Sequence, residues 1–181
     1  MILDATAGNR TMWKHKTSEN IIYMDMETTL QVKPNIFCSS HHTPFRDKTF
    51  DTIFYDPPHT WGNYTHWHSY PYASKEYLDK YNDNSIPRYY GWDKYSSRGA
   101  LVAHIYKAGL EFRRILKDGG LFWLKWNEMS IEINSILNIL TTWQVLLKLY
   151  IHAPSQTAGK HQTYWICFEK RKGKAHQSLL F

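Results

Sequence analysis

Apolar residues arrive along this chain in two rhythms. Short runs come first: Met1 to Ala5, Asn20 to Asp25, Asn35 to Cys38, and Phe50 to Asp56 with Ile53, Phe54 and Tyr55 at its centre. Runs this short, closed by polar residues or prolines, predict four strands. From Gly99 to Lys117 the rhythm changes, as Leu101, Ile105, Ala108, Phe112, Ile115 and Leu116 recur at helical spacing. That stripe predicts a helix, broken by Asp118-Gly119-Gly120. Leu121 to Trp126 reads as a fifth strand and Ile131 to Leu140 as a second helix. Trp143 to Ile151 and Thr163 to Glu169 read as two closing strands.

Strands alternating with helices predict an α/β fold built on a mostly parallel sheet. Only Met26 to Pro34 separates the second and third strands, whereas a parallel crossover takes about 10–12 residues or more. Helices on one side of the sheet are therefore expected to be short or missing, and Ser39 to Thr49 reads as loop. No repeat or linker divides the chain, so residues 1–181 are expected to form one domain, with an aromatic-rich insertion at about 60–98.

Three segments at strand ends carry side chains suited to chemistry. Asp4-Ala5-Thr6-Ala7-Gly8-Asn9 runs into a turn of small residues, and a glycine there lets backbone approach a ligand that a Cβ would hold off. The G-x-G-x-x-G spacing of a dinucleotide site is absent. Asp25, followed by Met26, closes the second strand, where a carboxylate can accept hydrogen bonds from ribose hydroxyls; singly it also fits a solvated strand end. Asp56-Pro57-Pro58-His59 follows the fourth strand. Its prolines donate no N–H and stiffen the chain. Their carbonyls and the Asp56 carboxylate then form acceptors suited to an NH₂ group. An aromatic amine is a poor nucleophile because its lone pair is delocalised into the ring. Hydrogen bonds that draw its protons out of plane localise that pair and aim it. In isolation the tetrapeptide fits a plain Pro-Pro turn as well.

The order of these pieces, a small-residue loop, an acid, then Asp-Pro-Pro at successive strand ends, is that of class I methyltransferases. The middle of the chain resembles the D/N/S-P-P-aromatic motif of amino-methyltransferases, which modify adenine N6, cytosine N4 or a protein glutamine. Small methyltransferases of phage and prokaryotic genomes share four features with this chain. Here these are Asp56 to His59, Leu116 to Gly120, Lys125-Trp126-Asn127-Glu128, and Thr163 with Trp165, Cys167 and Phe168. The resemblance covers almost the whole chain. It implies a Rossmann-like sheet of seven strands, mostly parallel, with an antiparallel last strand and reduced helices. It also implies S-adenosyl-L-methionine as cofactor, held by Asp4, Ala5, Thr6, Ala7, Gly8, Asn9, Asp25 and Met26. Catalysis falls to Asp56, Pro57, Pro58 and His59, with Lys125 and Asn127 facing the substrate. His59 stands where an aromatic residue is usual, and the position that often meets the donor's adenine falls among Ser39, Ser40, His41 and His42.

Composition points to the acceptor. The net charge is +6 and 16% of residues are aromatic, a pairing that suits nucleic acid. Rings concentrate between Thr60 and Arg98, where Trp61, Tyr64, Trp67, Tyr89, Tyr90 and Trp92 alternate with Lys75, Lys80, Arg88 and Lys94. The segment leaves directly from His59, so Tyr89 and Tyr90 are expected to meet a DNA or RNA partner; a self-packed aromatic lid is the alternative. Adenine N6 is the first choice of acceptor. The alternatives are cytosine N4, a small-molecule or protein amine, or a catalytically silent nucleic-acid-binding subunit. No metal site is expected, because the pairs His41-His42 and His66-x-His68 lack a completing Cys or carboxylate set. Two cysteines, no long apolar run and no signal-like start lead us to expect a cytoplasmic protein without a membrane segment.

Overall fold

The computed structural model describes residues 1–61, 95–151 and 162–172. Among these residues seven strands and two helices follow in order: β1 (Ile2–Asp4), β2 (Ile21–Asp25), β3 (Ile36–Phe37), β4 (Phe50–Tyr55), α1 (Arg98–Ile115), β5 (Leu116–Asn127), α2 (Ile133–Ile139), β6 (Trp143–Ile151) and β7 (Thr163–Lys170). They form one sheet in the order β3-β2-β1-β4-β5-β7-β6. The pairs from β3 to β5 are parallel, and β7 runs antiparallel to both β5 and β6. The predicted sheet is the observed one. Strand order reverses between β1 and β4, and ligands bind outside the carboxyl ends of an open α/β sheet at such a point.

One boundary differs from the expectation. The helix stops at Ile115, and β5 begins at Leu116 rather than Leu121. Asp118-Gly119-Gly120 is not a separating turn but an irregularity inside the strand. Phe50 pairs with Leu116 and Thr52 with Leu121, so β5 carries the extra residues as a bulge. Gly120 is required there, because a Cβ would lie 2.8 Å from the Asp51 carbonyl oxygen of β4.

Helix α1 starts at Ser97, whose hydroxyl accepts from the Ala100 N–H at 3.1 Å. Its inward stripe, Leu101, Ile105, Ala108, Phe112 and Ile115, is buried against one face of the sheet. That face supplies Leu3, Met24, Ile53, Tyr55, Phe122, Leu124, Trp126 and Ile166, all at most 1% exposed. Burying each such side chain contributes about 1.5–3 kcal/mol. The opposite face has no helical layer among the described residues: the connections 5–20, 26–35 and 38–49 contain no helix. Trp13 covers part of it instead, edge-on to Phe54 at 5.2 Å and Tyr23 at 6.4 Å.

Side-chain clamps replace the missing helices. Arg10 donates to the carbonyls of Lys16 and Lys33, at 2.6 and 2.7 Å, tying two connections together. The 38–49 loop is held by Glu111 of α1, which accepts from both the N–H and the hydroxyl of Thr43. Arg114 bonds Glu111, Asp47 and the Phe45 carbonyl. No helix among the described residues is long and apolar enough to cross a membrane.

Candidate active site

The carboxyl ends of β1, β2, β4 and β5 open onto a cleft of about 520 Å³. Every residue from Asp4 to Asn9 lines it, and so do Asp25, Met26, Asp56, Pro57, Pro58, His59 and Lys125. The fold thus gathers three strand-end segments that lie far apart in sequence. Asn127 is not among the lining residues. Its amide donates to Thr163 Oγ1 at 2.8 Å and accepts from the Met129 N–H at 2.9 Å, which fastens β5 to β7. Tyr89 and Tyr90 lie outside the described residues; Trp61 and Tyr95, at the edges of that segment, pack on the core.

The loop after β1 is bound to the end of β2. Gly8 takes φ +50°, a conformation that favours glycine, and its N–H donates to Asp25 Oδ2 at 2.8 Å. Asp25 Oδ1 accepts from the Glu27 N–H at 2.8 Å. Each oxygen keeps a further lone pair for a ligand hydroxyl. Nothing lies within 4 Å of where a Gly8 Cβ would stand, so the loop leaves open space beside this acid. Asn9 accepts from the Val32 N–H at 3.1 Å, which anchors the loop's far end.

Asp4 is 1% exposed, and its oxygens accept from the Trp13 indole at 2.7 Å and the Thr6 N–H at 3.3 Å. Burial pushes its carboxyl up to about 6 despite these bonds, with Asp25 and Asp56 adding repulsion. The carboxyls of Asp4, Asp25 and Asp56 therefore stand together in the lining of one cleft, a setting for a ligand carrying positive charge.

Asp56 sits between two partners. Lys125 Nζ lies 2.6 Å from its Oδ2, and His59 Nε2 lies 3.6 Å from its Oδ1. His59 is 8% exposed and edge-on to Trp126 at 5.4 Å. Burial lowers its imidazole to about 4, outweighing the attraction of Asp56, so the ring is neutral at pH 7. Its Nδ1 is buried and makes no hydrogen bond.

Ser40, one of the four residues expected near the donor's adenine, lines the cleft from the segment after β3. The cleft also takes in residues that sequence reasoning did not assign, with Cys38 beside Ser40, and His104 and Tyr95 on the α1 side. Ser40 Oγ is 3.5 Å from Tyr55 Oη, and the rings of His41 and His104 stand 4.1 Å apart with their nitrogens facing. Burial lowers the His41 imidazole, with Lys107 adding to the effect. His104 had a legible signal: it is a polar residue on the apolar stripe of α1, between Leu101 and Ile105. Among the described residues no three His, Cys, Asp or Glu side chains gather to hold a metal.

No family model matches the sequence, and no curated protein does. The architecture matches solved structures across nearly its full length. A SAM-dependent methyltransferase from Methanosarcina mazei is 11% identical, covering 93% of this chain and 91% of that one, with a TM-score of 0.52. Geranyl diphosphate C-methyltransferase from Streptomyces coelicolor A3(2), solved with S-adenosyl-L-homocysteine, is 9% identical over 94% and 70% of the chains, TM-score 0.52. The [4+2]-cyclase SpnF is 11% identical over 95% and 74%, TM-score 0.54. The fold is therefore the Rossmann-like fold of SAM-dependent methyltransferases, here with no helical layer on one face of the sheet among the described residues.

Proposed function

We propose that this protein is an S-adenosyl-L-methionine-dependent methyltransferase acting on an amino nitrogen, with adenine N6 in DNA or RNA as acceptor. One observation carries the reading: the Gly8–Asp25 turn and the Asp56-Pro57-Pro58-His59 corner share one cleft and are bonded to each other. The Asp56 N–H donates to Thr6 Oγ1 at 2.7 Å. In this reading Asp25 meets the donor's ribose, the open space at Gly8 admits its amino-acid portion, and the carboxyls lining the cleft favour its positive charge. The donor supplies a methyl on a sulfonium; the sulfur keeps the bonding pair, and the acceptor nitrogen contributes its lone pair. Asp56 and the carbonyl at Pro57 orient that nitrogen, which sheds one proton toward the Asp56 carboxylate as the new bond forms.

The acceptor side draws on the +6 charge and on the aromatic, basic segment leaving from His59. A small-molecule amine is the second reading, favoured by structural neighbours whose names denote small-molecule chemistry. Labelled donor incubated with separate DNA, RNA and protein pools, followed by nucleoside mass spectrometry, distinguishes them. N6-methyladenosine or its deoxy form is the expected product, and loss of salt-sensitive nucleic-acid binding on changing Tyr89 and Tyr90 to Ala the expected companion. Label confined to small amines moves the assignment to the second reading. If a folded Gly8→Trp variant binds donor tightly by calorimetry, the donor assignment itself is wrong.

A further inference from the structure

We infer that Lys125 sets the specificity of the acceptor site: by completing the charge of Asp56 it reserves the site for an amine that arrives uncharged. The inference rests on the amino-methyltransferase reading and adds a role for a residue that the strand-end motifs left undefined. Lys125 Nζ stands 2.6 Å from Asp56 Oδ2, and the two side chains are only 33% and 29% exposed. A pair this close and this shielded is screened far less than a surface pair. Within the cleft the carboxylate therefore presents hydrogen-bond acceptors with little net negative charge.

His59 completes the arrangement. Its Nε2 lies 3.6 Å from Asp56 Oδ1, outside hydrogen-bond range. Nδ1 is buried and without a partner, on a residue that lines the cleft. Leaving such an atom unsatisfied costs free energy that a polar group of a ligand would recover. Burial keeps the ring neutral, so it adds no charge of its own. Lys125 and Asp56 offset each other and His59 adds no charge, while the remaining carboxyls of the cleft, Asp4 and Asp25, belong to the donor side of this reading. An alkylammonium would lose its hydration at the acceptor corner and stand beside the Lys125 ammonium. An exocyclic amine on an aromatic ring keeps its N–H donors and meets none of that repulsion.

Aniline and benzylamine test this directly, since both carry a ring and an NH₂ but only benzylamine is cationic near neutral pH. Titrated into wild-type protein loaded with S-adenosylhomocysteine, aniline should bind on the order of tenfold more tightly or better. Lys125→Met should shrink or reverse that ratio by exposing the bare charge of Asp56, while Lys125→Arg should preserve it. A measurement on wild type alone serves if the Met variant does not fold. Raising the pH through the deprotonation of benzylamine should recruit that probe and leave aniline unchanged. Equal binding of the two probes at neutral pH, binding of neither, or an unaltered ratio in folded Lys125→Met overturns the inference. Absence of binding by the S-adenosylhomocysteine itself overturns the methyltransferase reading instead.

Discussion

The Asp56 N–H and the Thr6 hydroxyl, fifty residues apart in sequence, are hydrogen-bonded at 2.7 Å. This bond joins the carboxyl ends of β1 and β4, the two strands between which the sheet order reverses. It sets how far the small-residue loop stands from the Asp-Pro-Pro-His corner. Thr6→Val keeps the side-chain shape and removes the acceptor. We expect a loss of about 1 kcal/mol in stability, donor affinity within about twofold of wild type, and a kcat lower by roughly tenfold through misalignment. Unchanged kcat on the true acceptor would dismiss this bond as a positioning element.

Asp56→Ala removes the acceptor carboxylate and strands Lys125. On the proposed reading Asp56 meets an amine and acts chiefly in the transition state, so kcat should fall more than KM rises. A lost charge-assisted bond of about 1.5–3 kcal/mol corresponds to roughly ten- to a hundredfold. Donor binding measured by calorimetry should be nearly intact. A wild-type rate would remove Asp56 from the chemistry.

Asp4 gives the donor site a pH dependence. Its folded carboxyl titrates at about 6, above its usual 3.8, so folding stability falls as pH rises from about 4 through 6. For a cationic donor the sign is opposite, since the ionised form attracts it. Affinity for S-adenosylmethionine should therefore weaken as pH drops from 8 through 6. S-adenosylhomocysteine, which lacks the sulfonium charge, should follow pH less steeply. Calorimetry from pH 5 to 8 measures both; flat profiles would show that Asp4 does not sense the donor.

Glu111 holds the 38–49 loop, and its carboxyl is only 8% exposed. Burial raises its pKa, but hydrogen bonds from Arg114 and Thr43 outweigh this and bring it to about 2. The resulting stability is complete above its usual value of 4.5 and is lost as pH falls toward 2. Glu111→Gln should cost about 2–3 kcal/mol at pH 7, or roughly 5–10 °C in Tm. The gap to wild type should narrow below about pH 4.5 and close only near pH 2. An equal gap at pH 7 and pH 3 in thermal melts would contradict this account.

Much of the fold was readable along the chain because its signals are local. Apolar runs closed by polar residues marked the strands, and a helical stripe marked α1. The short Met26 to Pro34 connection foretold the missing helix by length alone. The start of β5 was misread for a local reason too. Leu116 continues the helical spacing, and two glycines after it look like a helix stop. Pairing with β4 overrides both, because Gly120 lets the strands approach where a Cβ would strike Asp51.

The sequence by itself determined which segments end strands with chemical side chains: Asp4 to Asn9, Asp25, and Asp56 to His59. Tertiary structure alone decided what those side chains touch. Lys125 turned toward Asp56, while Asn127, two residues along the same strand, was spent on Thr163. Alternation puts both residues on one face of β5, so periodicity does not separate them. Their difference lies in the neighbours, with Lys125 bordering the cleft and Asn127 meeting the first residue of β7. Hydrogen bonds act over about 3 Å, and only the folded sheet brings residues so distant in sequence within that range.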